Sequence, residues 1–128
     1  SERKFDDAWF RDQTKSSGIH FTYRNGRESS QYTILETVGG GVALFDMDQD
    51  GDVDAFFPGG GQISKSSPFQ ISGRPCGLFR NDGTGRFSDV SGQIVTSGPP
   101  RYSHGAFVSD FDRDGFPDLL MTGYDGCT

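Results

Sequence analysis

No apolar run in this chain approaches the roughly 20 residues that a bilayer-spanning helix requires, so a membrane span is not expected. Basic residues are equally thin: the 12 Lys and Arg are scattered among 18 Asp and Glu. Without a basic patch to neutralise phosphates, nucleic acid is not a partner. Histidine occurs twice, at His20 and His104, far apart in the chain. Zinc sites need three or four converging ligands, so both histidines read as structural or surface residues. The two cysteines, Cys76 and Cys127, are too few for a disulfide framework. One bridge between them is geometrically demanding, and two buried free thiols are the simpler expectation. The glycine runs Gly39–Gly41 and Gly59–Gly61 are not followed by Gly-Lys-Ser/Thr and open no helix, which makes them strand-end turns rather than phosphate cradles. No nucleophile-elbow sequence is present either. The chain therefore reads as a non-enzyme, with no catalytic residue and no organic-cofactor site to name. It opens on Ser1 rather than Met, so the absence of an apolar leader carries no information about export.

What is present is turn-forming and aromatic. Nineteen glycines, six prolines and 12 phenylalanines in 128 residues suggest one all-β domain of short strands and tight turns. The formal charge of −6 is unevenly spread. Half of the 18 acids fall in two short segments: Asp46, Asp48, Asp50, Asp52 and Asp54, then Asp110, Asp112, Asp114 and Asp118. Two bound calcium ions would bring the charge to −6 + 4 = −2, which assigns the acidity to metal-site chemistry.

The two segments are copies. Placing Asp46 on Asp110 sets an offset of 110 − 46 = 64 residues. Gly-Val-Ala-Leu-Phe-Asp (41–46) then overlies Gly-Ala-Phe-Val-Ser-Asp (105–110), and the loops agree at positions one, three, five, six and nine. Self-similarity at a fixed offset indicates a repeat architecture. Apolar runs flank each loop, so the unit reads as strand, acidic loop, strand. Residues 76–90 read as a second hairpin around the turn residues Asn81, Asp82 and Gly83. Four antiparallel strands are the content of one propeller blade. Residues 60–74, rich in Ser, Gly and Pro, are expected to form an exposed loop.

Calcium is a hard cation that takes six to eight oxygens at about 2.3–2.6 Å. Carboxylates at alternate positions followed by glycine let a tight loop wrap such an ion, with glycine permitting the reversal. The expected ligands are the side chains of Asp46, Asp48, Asp50 and Asp54 in one loop, and Asp110, Asp112, Asp114 and Asp118 in the other. Position seven contributes its carbonyl, from Asp52 and Phe116, so its side chain is free to vary. An EF-hand would need Glu at position twelve, where this chain has Phe57 and Met121. A solvated acidic turn without an ion is the alternative, disfavoured by the mutual repulsion of so many carboxylates. Magnesium keeps its waters and suits the loops less well.

The run 39–54, with Leu78-Phe79-Arg80-Asn81 and Gly85-Arg86-Phe87-Ser88-Asp89-Val90, resembles FG-GAP (VCBS) repeats. The opening, Phe5-Asp6-Asp7 followed by Ser17-Gly18-Ile19 and Leu35-Glu36, is similar to the branch holding the cartilage acidic protein and ASPIC/UnbV proteins. The resemblance implies a seven-bladed, integrin-like β-propeller, secreted, periplasmic or at the cell surface. It also implies stabilisation by calcium and use in adhesion rather than catalysis. The expected organisation is an N-terminal segment with weak repeat echoes (1–38), a first blade with its calcium loop (39–100), and the first half of a second blade (101–128). About one and a half blades of a propeller are thus expected, with self-association or the remainder of the propeller completing them. A protein or glycan ligand would be the partner. Two other expectations stand beside this one: the non-catalytic propeller part of a larger exported enzyme, or a carbohydrate-binding module.

Overall fold

The computed structural model describes residues 9–94, 98–124 and 126–127. The Phe5-Asp6-Asp7 echo lies outside them. Among the described residues the fold is all-β, with ten short strands and only single 3-10 turns at Arg27–Ser29, Ile34–Thr37 and Ser91–Gln93. A blade-like sheet contains β2 (Ala43–Phe45), β3 (Asp54–Phe57), β6 (Gly77–Asn81) and β7 (Phe87–Asp89), in that order and antiparallel throughout. These are the four strands expected of one blade. The second sheet runs β1 (Arg24–Asn25), β4 (Gly60–Ile63), β8 (Ser103–Ser109), β9 (Asp118–Gly123) and β10 (Gly126–Cys127), with β5 (Ile71–Gly73) also paired to β4.

The repeat is kept at the level of strand register. Ala43, Leu44 and Phe45 pair with Phe56, Ala55 and Asp54. Their counterparts 64 residues on, Phe107, Val108 and Ser109, pair with Leu120, Leu119 and Asp118. Since a slip of one residue would turn every side chain to the opposite face, the shared register means the two hairpins present equivalent faces.

The core forms where these sheets meet the N-terminal segment. Ala43, Ala55, Phe56, Phe79, Ile63 and Tyr102 are buried. Each buried Phe contributes roughly 1.5–3 kcal/mol by removing its ring from water. Phe57 joins Phe21 (stacked, 5.1 Å) to Phe79 (edge-on, 5.7 Å), so residues before the repeat close one side of the blade. The Phe87 N–H donating to the Ser17 carbonyl at 2.7 Å holds that segment beside the edge strand.

Residues 60–74 depart from expectation. They form a hairpin, β4–β5, rather than a free loop. Gly61 explains how: it lies so close to the Tyr102 ring and the Ser72 carbonyl that a Cβ would collide with both. The small residues that suggest a loop are the ones that admit a neighbouring ring. The cysteines also differ from expectation. Both are free, but Cys127 is exposed and Cys76 only half-buried, its Sγ 3.4 Å from Met121 Sδ.

The echo between Tyr23-Arg24-Asn25-Gly26 and the 79–83 segment extends to hydrogen bonding. Asn25 Oδ1 accepts from the Arg27 N–H at 3.2 Å, as Asn81 Oδ1 accepts from Gly83 at 3.1 Å. Each amide group also donates to a distant carbonyl, Glu36 for Asn25 and Val53 for Asn81.

Candidate metal centres

Each acidic loop connects two antiparallel strands and is shaped by two left-handed residues. Position four is left-handed in both, Gln49 at φ 60° and Arg113 at φ 64°, and so is position six, Gly51 at φ 94° and Gly115 at φ 92°. Only glycine adopts the latter without strain, so the sharp return of the loop depends on it. Asp46 accepts from the N–H groups of Asp50 and Gly51 at 3.0 and 2.9 Å. Asp110 accepts from Asp114 and Gly115 at 3.1 and 3.0 Å. Asp50 accepts from the Asp52 N–H and Asp114 from the Phe116 N–H, at 2.9 and 2.8 Å. The backbone amides thus fix the carboxylates that the loop gathers.

The loops bring together three carboxylates each. Asp46, Asp48 and Asp50 offer oxygens within 4.8 Å of one another, and so do Asp110, Asp112 and Asp118. These donors are all hard oxygens, which suits a hard divalent cation. The remaining expected ligands sit differently. Asp54 is wholly buried, and its carboxylate accepts from Met47 N–H at 2.9 Å and Asn81 N–H at 2.8 Å. Its counterpart Asp118 accepts from Phe111 N–H at 2.8 Å, is only half-buried, and joins its cluster. Asp114 stands outside the second cluster. Asp52 lies against Gly83 in the hairpin turn, and Phe116 is exposed.

Two features were not evident from spacing. Gln49 Nε2 donates to the Gly115 carbonyl at 2.6 Å, so the two loops touch. Arg80, on β6, reaches back over the first loop: its Nε lies 2.8 Å from Asp48 Oδ2 and a terminal nitrogen 3.6 Å from Asp50 Oδ2. Strand alternation puts Phe79 inside and Arg80 outside, but its position over the acids depends on how β3 and β6 pair.

Comparison with known proteins adds one match, which covers the second loop. Residues 71–121 match the FG-GAP-like repeat. The matched segment starts at β5, takes in the β6–β7 hairpin and runs through the second loop into β9. It supports an FG-GAP repeat protein, and the all-β fold with its blade-like sheet agrees. The first loop lies outside the matched span and shares the strand register of the second. No curated protein and no solved structure matches the chain.

Proposed function

We propose that this chain is a calcium-binding FG-GAP repeat module with a binding, adhesion or scaffolding role outside the cytoplasm. The observation that carries the reading is the duplicated loop: two three-carboxylate clusters on the same backbone turn, 64 residues apart. Two Ca²⁺ ions would be held by Asp46, Asp48, Asp50 and Asp54, and by Asp110, Asp112, Asp114 and Asp118, with the Asp52 and Phe116 carbonyls completing the shells. Asp54 and Asp118 each keep lone pairs beyond those their N–H partners use, since an ionised carboxylate has about four acceptor sites. The ions would fix the loops that join the strands, and the module would then present a protein or glycan ligand with a rigid surface. The grouping with the cartilage acidic protein and ASPIC/UnbV proteins belongs to this reading, as does its placement in a secreted, periplasmic or cell-surface protein. Calorimetric titration of the full chain with CaCl₂ tests it: uptake of two ions supports the module, and no uptake near millimolar calcium rejects it.

A further inference from the structure

The two loops share a backbone turn, but their surroundings differ in charge. Arg80 sits on two of the three clustered carboxylates of the first loop, Asp48 and Asp50. Among the described residues no Lys or Arg forms an ion pair with the second loop. Its own Arg113 is left-handed and exposed, and makes no such pair. Arg80 is held where it is by the strand it belongs to: β6 pairs with β3, and Asn81 beside it is tied to Asp54 and Val53.

From this asymmetry we infer that Arg80 is a built-in competitor for the first calcium loop, so that the second loop fills first and the first fills only at higher calcium. The inference rests on calcium binding at the loops as proposed above. A guanidinium keeps its charge at every accessible pH, so the competition cannot be relieved by deprotonation. An incoming Ca²⁺ needs the same Asp48 and Asp50 carboxylates, and it also meets the positive charge beside them. Arg80 and its two partners are all partly open to solvent, which weakens the ion pairs and lets the side chain swing away. The outcome is a graded site rather than a blocked one. Occupation of the first loop would also release a guanidinium from the face of β6, coupling calcium there to the charge presented by the second hairpin.

The test is calcium calorimetry on the full chain, with each variant's fold checked by circular dichroism. The unsubstituted chain should show two ions binding in two phases. Asp112→Asn weakens the second loop and isolates the first. Adding Arg80→Gln to that background should tighten the remaining site by roughly threefold or more. Arg80→Met, which keeps the apolar stem, serves the same purpose if the glutamine variant folds poorly. An affinity that is unchanged or weakened on removing Arg80 overturns the inference while leaving calcium binding intact, because a residue that merely oriented the carboxylates would act in that direction. Absence of calcium uptake at both loops removes the calcium reading itself, and this inference with it.

Discussion

Asp54 and Asn81 lock the two hairpins of the blade together. The Asn81 backbone N–H donates to Asp54 Oδ1 at 2.8 Å, while the other oxygen of the same buried carboxylate takes the Met47 N–H at 2.9 Å. One side chain thus serves the second hairpin and the entrance of the first acidic loop. Asp54→Ala would orphan two backbone donors, each costing about 1–3 kcal/mol if it stays out of water. We expect a loss of roughly 2–4 kcal/mol in urea unfolding. Asp54→Asn, which keeps one acceptor, should lose less. Equal stability of all three proteins would show that the bridge contributes nothing.

Calcium should raise the melting temperature, and chelation should lower it, because a ligand bound only to the native state stabilises by mass action. Acid should act like chelation, since protonated carboxylates release the metal. Asp46→Asn and Asp110→Asn, made separately, should each remove one ion and part of the shift. Superimposable melting curves in excess calcium and in excess chelator would count against structural metal.

In the β6–β7 turn, the Thr84 hydroxyl and N–H both donate to Asp82 Oδ1, at 2.6 and 2.9 Å. The hydroxyl bond is the larger cause holding the Asp82 carboxyl below its usual range, followed by the N–H bond. A pKa lowered on folding means this turn is favoured above the unfolded carboxylate's pKa, and the advantage fades as pH falls through the folded value. Thr84→Val should bring the Asp82 pKa back up, read by NMR titration of the carboxyl carbon. An unaltered titration would show the hydroxyl is not engaged in solution.

Tyr102 gives the opposite sign at the alkaline end. Its ring is buried and its hydroxyl lies 3.0 Å from both the Asn25 and Leu35 carbonyls. Burial first, then Tyr23 and the Glu36 and Glu28 carboxylates, pushes the phenol well above its usual range. A group whose pKa rises on folding stabilises fully below the unfolded value and loses its contribution as pH climbs past it, here from about 10 upward. Unfolding monitored against pH should show stability declining there, and Tyr102→Phe should flatten that decline while costing about 1–2 kcal/mol at neutral pH. A decline of equal slope in the Phe variant would place its origin elsewhere.

Exposed apolar side chains should make the module associate. Leu44, Phe107 and Phe111 are more than half exposed, and the two Phe rings lie 6.3 Å apart. Light scattering at low micromolar concentration with calcium present should report species larger than the 14.0 kDa monomer. Phe107→Ser with Phe111→Ser should reduce them. A monodisperse, folded monomer would show these rings need no cover.

The strands of the blade and the two acidic loops were legible because their signals are local. Alternating aspartates, a glycine at position six and flanking Phe and Leu are all read within nine to fifteen residues, and the 64-residue offset doubles the signal. The β4–β5 hairpin was not legible, since Gly60, Gly61 and Ser72 carry no apolar pattern and owe their strand geometry to Tyr102 and the neighbouring sheet. The burial of Asp54 away from its cluster, and the position of Arg80, follow from how β3 and β6 pair. The spacing of the aspartates along the chain carries no trace of that pairing.

The parallel pairing of β1 with β4, Arg24 to Gly60 and Asn25 to Gly61, has a consequence for the order of assembly. Parallel strands cannot be joined by a tight turn, and contacts distant in sequence require loop closure before they return any stabilisation. The Tyr102 hydroxyl ties Asn25 and Leu35 to a residue 77 and 67 positions further along. The β2–β3 and β6–β7 hairpins can close as soon as they leave the ribosome. Residues 23–38, synthesised before them, find their partners only later in the chain, first β4 and then Tyr102 at the entrance to β8. Residues 23–38 therefore wait for partners made after them, and are among the last of the described residues to dock.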